Sequence, residues 1–157
     1  MMKPIRIALA LAVAAALVSA CSEAPQQTET AAAPDAPEGI AVANGRLMLP
    51  AVSGNPAAVY FDVSNDGESN RMIRAVSVQG TGESMLHVTN DAGMQEVLQV
   101  SVPAGETVKF EPGGTHVMAM DVADTLVAGG QTEVTLTFVG GDKVSFPAEV
   151  RAAGDER

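Results

Sequence analysis

The chain has 157 residues, which makes a single domain the default expectation. It contains 9 Lys and Arg against 19 Asp and Glu, a net charge of −10. Nucleic acid and anionic lipid are bound by clustered Lys and Arg, so this balance argues against both kinds of partner. The single cysteine, Cys21, excludes an intramolecular disulfide.

Residues 1–21 are predicted to form a lipoprotein signal peptide. A short positive start precedes an apolar run over residues 7–18, too short for a membrane-spanning helix, which needs about 20 residues. The run ends Leu-Val-Ser-Ala-Cys, which resembles a bacterial lipobox with Cys21 as the acylated residue. We expect a lipid anchor on the periplasmic face of a membrane, with Ser22 favouring the outer membrane. The alternative is an ordinary soluble signal.

The rest of the chain is predicted to be a tether followed by one β-domain. Residues 22–40 contain almost nothing apolar beyond alanine, which is typical of a disordered tether. Residues 41–151 alternate apolar and polar positions, with turn signals about every 8–12 residues. This pattern predicts an all-β fold, an antiparallel β-sandwich or barrel with Greek-key connections. The strands are predicted at residues 57–63, 71–78, 85–89, 95–102, 107–110, 115–122, 134–138 and 143–150.

Two short segments contain both histidines of the chain and four of its eight methionines. The first is Met85-Leu86-His87, followed by Met94, and the second is His116-Val117-Met118-Ala119-Met120. Side chains at positions i and i+2 of a strand share a face, so each strand would present a histidine beside a thioether. Imidazole and thioether form a soft ligand set that suits Cu(I) better than Zn, Mg or Ca. The sequence therefore predicts one soft-metal site, with Met94 reaching back over it and His116 at the exposed rim of the fold.

Each of these residues also has a simpler explanation. A lone methionine in a strand more often fills the core, and Met48, Met72 and Met120 fit that explanation. A lone histidine is more often a surface or hydrogen-bonded residue. The coincidence of both histidines with methionines at same-face spacing is what favours a metal site.

The spacing of the second segment resembles a known motif. Twenty-one residues separate Met94 from His116, Met118 follows after one more, and a histidine lies upstream. This arrangement resembles the motif of the periplasmic copper metallochaperones called PCu(A)C. Residues 102–108 and 111–118 resemble the same family, and the resemblance extends over residues 42–150.

The resemblance implies a cupredoxin-like domain that binds Cu(I) and is not an enzyme. It implies delivery of copper to respiratory cytochrome oxidase or to an assembly factor of that oxidase. One departure concerns the hairpin between His87 and Met94, which has six intervening residues where the family usually has more. The ligands implied are His87, Met94, His116 and Met118, with Met85 and Met120 as auxiliary thioethers.

Other classes of protein fit the sequence less well or share its ligands. A blue-copper electron carrier needs a thiolate, and the only cysteine belongs to the lipobox. A hydrolase would need a nucleophile motif that is absent, and a zinc enzyme would want carboxylates beside its histidines. A copper-sequestering lipoprotein would use the same ligands without a dedicated acceptor. A structural β-sandwich lipoprotein would bind no copper.

Overall fold

The computed structural model of the chain describes residues 36–155. The predicted signal peptide, the lipidation site at Cys21 and the predicted tether up to residue 35 lie outside the described residues. Within the described range, all regular secondary structure is β-strand. None of this part of the chain forms a helix long and apolar enough to cross a bilayer.

The described region contains ten strands, which confirms the predicted all-β class. They are β1 (Ile40–Met48), β2 (Ala57–Asn65), β3 (Arg71–Val78), β4 (Ser84–Asn90), β5 (Gly93–Glu96), β6 (Val100–Val102), β7 (Glu106–Phe110), β8 (Thr115–Ala119), β9 (Gln131–Phe138) and β10 (Lys143–Arg151).

The ten strands form one curled sheet in the order β5-β4-β8-β7-β2-β1-β10-β9-β3-β6, with β8 also pairing with β2. Strand β3 lies against β4, so the two ends of the sheet approach each other around the core as a half-barrel. Two pairings are parallel, β1 with β10 and β7 with β8. The expected all-antiparallel arrangement is therefore corrected to a mixed sheet. Side chains alternate between the two faces of a strand whether its neighbour is parallel or antiparallel. The alternation therefore does not reveal that the first and last strands pair in parallel.

The predicted strand over residues 95–102 is wrong, because this segment belongs to two strands at opposite ends of the sheet. Leu98 continues the apolar alternation of Val100 and Val102, yet it is 84% exposed and lies between β5 and β6. The chain leaves one end of the sheet here and joins the other. Alternation alone does not show such a break, because the apolar residues on both sides of it keep the same spacing of two.

The concave side of the sheet holds the core. In β2, Phe61 stacks on Phe110 with ring centroids 4.1 Å apart, and it lies 5.0 Å from the ring of Phe146. Full burial of one such side chain contributes about 1.5–3 kcal/mol. The aromatic cluster thereby joins β2, β7 and β10. We call the opposite side of the sheet, which points away from this core, the outer face.

A β-bulge in β1 changes which of its side chains reach the outer face. The pairing with β2 shifts between Ala43 and Arg46, so β1 has one extra residue there. Asn44 has a φ of 57°, and Gly45 follows it. Asparagine and glycine tolerate the unusual backbone geometry that a bulge requires. Beyond the bulge, Arg46 is directly opposite Tyr60.

The bulge reverses the parity of the second half of β1. Before it, Ile40 and Val42 face the core. After it, Leu47 is fully buried in the core, so Met48 points to the outer face. In an uninterrupted strand Met48 would share the core-facing parity of Ile40 and Val42.

Replacing Gly45 with alanine is expected to lower the free energy of unfolding by about 1–3 kcal/mol. An added Cβ would lie 2.6 Å from the carbonyl oxygen of Pro147 on the neighbouring strand β10, and backbone at that distance has no cheap way to move. Urea denaturation of the variant measures the loss. Gly114→Ala is the matched control, because its new Cβ would meet only ordinary contacts of 3.5 Å or more. Equal denaturation midpoints for the two variants would contradict the prediction.

Candidate metal site

Both histidines meet two of the methionines on the adjacent strands β4 and β8. His87 is directly opposite His116, and Met85 is directly opposite Met118. Directly opposite side chains of an antiparallel pair have Cβ atoms about 4.5–5.5 Å apart. The two imidazole rings stack with centroids 5.8 Å apart and planes 24° apart. The structure thus brings four of the predicted residues together in one block of two histidines and two thioethers.

This block lies on the outer face of the sheet. Leu86 and Val117 alternate with its members and point into the core. His116 is only 6% exposed, so the predicted exposed position of this residue is wrong. Its ring lies between that of His87 and that of Tyr60, whose centroid is 6.5 Å away. These neighbours on both sides account for its burial.

A hydrogen bond from the turn before β8 orients the His116 ring. Its Nδ1 lies 3.0 Å from the carbonyl oxygen of Gly114, which also accepts a hydrogen bond of 3.1 Å from the backbone N–H of Thr89. When Nδ1 donates its proton to that carbonyl, Nε2 of the neutral ring keeps a free lone pair. Metal-binding histidines are typically held in this way by a hydrogen bond at the other ring nitrogen.

His87 offers a second nitrogen without a protein partner. Its Nδ1 is buried and has no hydrogen-bond partner among residues 36–155. A buried polar atom left unpaired costs about 1–3 kcal/mol, so such an atom calls for an explanation such as a bound ion. A cation coordinated at this nitrogen would satisfy it. The donor chemistry of the site therefore fits a metal ion.

Met94 lies at the edge of the site. It is on β5, directly opposite Thr89, and so shares the outer face with His87 two residues away. From that position it is a diagonal neighbour of His87, at a distance that a long side chain can span. It is 54% exposed. The structure therefore places Met94 on the solvent side of the block, next to the histidines rather than between them.

The shortened hairpin explains this position of Met94. Strands β4 and β5 are joined by only two residues, and Asn90 is paired with Gly93. The side-chain oxygen of Asn90 accepts a hydrogen bond of 2.9 Å from the backbone N–H of Ala92. In this register the residue of β5 that is directly opposite His87 is Glu96, on the other side of β4 from His116.

Met120 lies one residue beyond the end of β8. Its backbone N–H donates to the carbonyl of Glu83 at 2.8 Å, and its carbonyl accepts from the N–H of Gly82 at 2.8 Å. The backbone hydrogen bonds between β8 and the start of β4 therefore continue one residue past the end of β8. Met120 shares the outer face with Met118 and is half-buried.

Three residues near the site were not predicted from the sequence. Glu96 is identified only by the strand register. Tyr60 lies between the core residues Val59 and Phe61 of β2, and this alternation is the sequence signal that could have placed it on the outer face. Arg46 lies 5.0 Å from the Tyr60 ring centroid, and only the bulge in β1 brings it to this face. Among residues 36–155 no group of three or more His, Cys, Asp or Glu is arranged to hold a metal. On the same two strands and the same face as the histidines, Met85 and Met118 supply thioether donors.

Comparison with known families identifies the domain. The family described as "Putative lipoprotein LpqE-like" matches residues 40–150. The chain belongs to the LpqE-like family. A curated relative, "Putative lipoprotein Lxx21020" of Leifsonia xyli subsp. xyli, is 29% identical over 101 residues. That match spans 61% of this chain and 61% of the relative.

Solved structures confirm the resemblance to PCu(A)C domains. The apo PCuAC domain from PmoF1 is 28% identical, with a TM-score of 0.64 over 73% of this chain and 94% of that domain. The copper-bound PCuAC domain from PmoF2 is 23% identical, with a TM-score of 0.64 over 73% of this chain and 93% of that domain. The CuI form of DR1885 from Deinococcus radiodurans is 24% identical, with a TM-score of 0.58 over 84% of this chain and 87% of that protein. This LpqE-like chain therefore has the PCuAC fold.

Proposed function

We propose that this chain is a copper(I) metallochaperone that delivers its ion to a respiratory oxidase copper site. The observation that carries this proposal is the block in which two histidines are directly opposite each other and two methionines are directly opposite each other on β4 and β8. Copper is the cargo of this site. The ligands are His87, Met94, His116 and Met118, with Met85 and Met120 as auxiliary thioethers.

The donor set favours Cu(I) over harder ions. Thioether sulfur and neutral imidazole are soft or borderline donors, whereas Mg and Ca prefer oxygen. Strand register supports including Met85. Met85 is two residues before His87 and is directly opposite Met118, which is two residues after His116. Two similar solved domains are described as copper-bound or in the CuI form.

The exposure of the ligands differs in a way that suits transfer. His116 is 6% exposed, whereas Met94 is 54% exposed. A ligand of an acceptor protein can therefore replace the Met94 sulfur first, while the buried histidine still holds the ion. Replacing one ligand at a time avoids releasing free Cu(I).

The proposed cellular setting follows from the N-terminal segment. A signal peptide over residues 1–21, with acylation at Cys21, would anchor the protein at the periplasmic face of a bacterial membrane. Ser22 favours the outer membrane. The tether, predicted over residues 22–40, would end before Ile40, which begins β1, and would let the copper domain reach partners near the surface. The lipoprotein names of the family and of the curated relative support the anchor.

Direct transfer is the test of delivery. The full chain in detergent, loaded anaerobically with one Cu(I), is mixed with the copper-free soluble copper domain of an oxidase subunit. After chromatographic separation, atomic absorption is expected to find most of the copper on the acceptor. A control with the two proteins on opposite sides of a dialysis membrane should transfer far more slowly, because exchange of ligands needs contact.

A copper-sequestering lipoprotein is the second function, and the burial of His116 favours it. It predicts that Cu(I) stays on this chain in the mixture. A structural β-sandwich lipoprotein predicts no Cu(I) binding at all. The transfer measurement therefore separates all three functions.

A further inference from the structure

Met48 is a methionine that the proposed site does not use, and it lies on the same face as that site. It is 7% exposed, yet it is not part of the cluster of buried residues that forms the core. The bulge at Asn44 and Gly45 is what turns it outward. A buried methionine outside the core needs another explanation for its position.

The strand register places Met48 in line with the thioethers of the site. Met48 is directly opposite Ala58, Ala58 is directly opposite Met118, and Met118 is directly opposite Met85. We call this row of four residues across β1, β2, β8 and β4 the methionine row. Three of its four members are methionines, and the fourth has the smallest side chain that keeps a Cβ.

The alanine leaves space between two of the thioethers. Neighbouring strands are about 4.8 Å apart, so the Cα atoms of Met48 and Met118 are about 10 Å apart. Methionine is unbranched and has three rotatable bonds, so the two side chains can bring their sulfurs together above the methyl group of Ala58. A larger residue at position 58 would fill this space.

A third sulfur is available next to this space. Met120 follows Met118 on the same face, and its backbone bonds to Gly82 and Glu83 keep it in the ladder of β8 and β4. On the other side the row ends at β10, where Arg151 is opposite Met48 and is bonded to Glu149 at 2.8 Å. The cationic guanidinium makes that end unfavourable for a metal ion. The space above Ala58 is therefore flanked by Met48 on the β1 side and by Met118 and Met120 on the β8 side, and the positive charge of Arg151 lies beyond Met48.

We propose that Met48, Met118 and Met120 form a second, sulfur-only position for Cu(I) above Ala58. The proposal rests on the proposed copper function, because Met118 and the auxiliary thioether of Met120 are shared with the first position. Three thioethers without imidazole make a softer and weaker ligand set. The second ion therefore binds after the first and leaves before it. Binding and release involve only exchange of ligands, with copper remaining Cu(I) throughout.

The second position is tested by counting the Cu(I) ions bound per chain. The count is measured by anaerobic titration with Cu(I) in competition with the colorimetric chelator bicinchoninate. The full chain in detergent is expected to bind two Cu(I), the second at least about tenfold more weakly. Met48→Leu conserves volume and removes the sulfur. This variant is expected to bind one Cu(I) with an unchanged first affinity. Ala58→Val should have the same effect by filling the space.

Met72→Leu is the matched control, because Met72 is a half-buried methionine on β3, which pairs with β6 and β9. It should still bind two ions. X-ray absorption of the wild type should show a higher share of sulfur neighbours at two equivalents than at one, and this rise should be absent in Met48→Leu. A wild type that binds a single Cu(I), or a Met48→Leu variant that still binds two, overturns the second position and leaves the proposed function intact. A wild type that binds none overturns both.

Discussion

His116→Ala is expected to lower the affinity of the chain for Cu(I) by about 100-fold or more. Loss of a residue that merely orients a metal ligand costs about 10–100-fold, and His116 is proposed as a ligand itself. Its ring is held by the carbonyl of Gly114, so its free nitrogen has a defined direction that other side chains do not replace. Anaerobic competition with bicinchoninate measures the affinity, and circular dichroism measures retention of the β-fold.

Two further variants sharpen this experiment. The triple variant Met94→Ile, His116→Ala, Met118→Ile removes two proposed ligands from β8 and one from β5. Its Cu(I) binding should fall to that of a protein without a site. Met72→Leu removes a methionine elsewhere in the sheet and should leave the affinity unchanged. Wild-type affinity in the triple variant would contradict the assignment of the site.

Asn65→Ala is expected to lower the free energy of unfolding by about 3 kcal/mol without changing Cu(I) affinity. The Asn65 side chain is fully buried and makes three hydrogen bonds. It donates to the carbonyls of Ser69 and Val102, both at 2.9 Å, and accepts from the N–H of Gly67 at 3.1 Å. Each buried polar group left unpaired costs about 1–3 kcal/mol. Urea denaturation followed by circular dichroism measures the change.

The control for this prediction is Asn70→Ala. Asn70 is exposed, and its side chain accepts one hydrogen bond of 3.0 Å from the N–H of Ala104. Its removal should cost below about 1 kcal/mol, since water can replace the lost partner. If both variants unfold at the same urea concentration, the network around Asn65 does not stabilise the fold as argued.

Together, Asn65→Ala and His116→Ala would show that the stability of the fold and the affinity for Cu(I) depend on different residues. Asn65 joins β2 to β6 through the carbonyl of Val102, and it lies at the opposite end of β2 from residues 57–59, which pair with β8. His116 lies on the outer face, away from the core. Stability should therefore depend on the first residue and copper affinity on the second.

The arrangement of the proposed ligands within each strand was predictable, because it depends on local periodicity. Residues two apart on a strand share a face, so Met85 with His87 and His116 with Met118 were paired correctly within each strand. The class of the fold followed from the same alternation. The register between strands was not predictable in this way, and it is the register that places His87 opposite His116 and puts Glu96, rather than Met94, opposite His87.

The sequence by itself determined that the domain is all-β, that its two histidines each share a strand face with a thioether, and that the motif resembles PCu(A)C domains. These features depend on side-chain chemistry and on a period of two residues, both of which are local. Only the tertiary structure decided that His116 is buried, that residues 95–102 divide between opposite ends of the sheet, and that β1 pairs in parallel with β10. It also decided that Met48 lies on the same face as the proposed metal site, because one extra residue in the bulge reverses the parity of every side chain after it. Burial, register and strand direction arise from contacts between segments distant in the chain, and alternation within one strand carries no information about them.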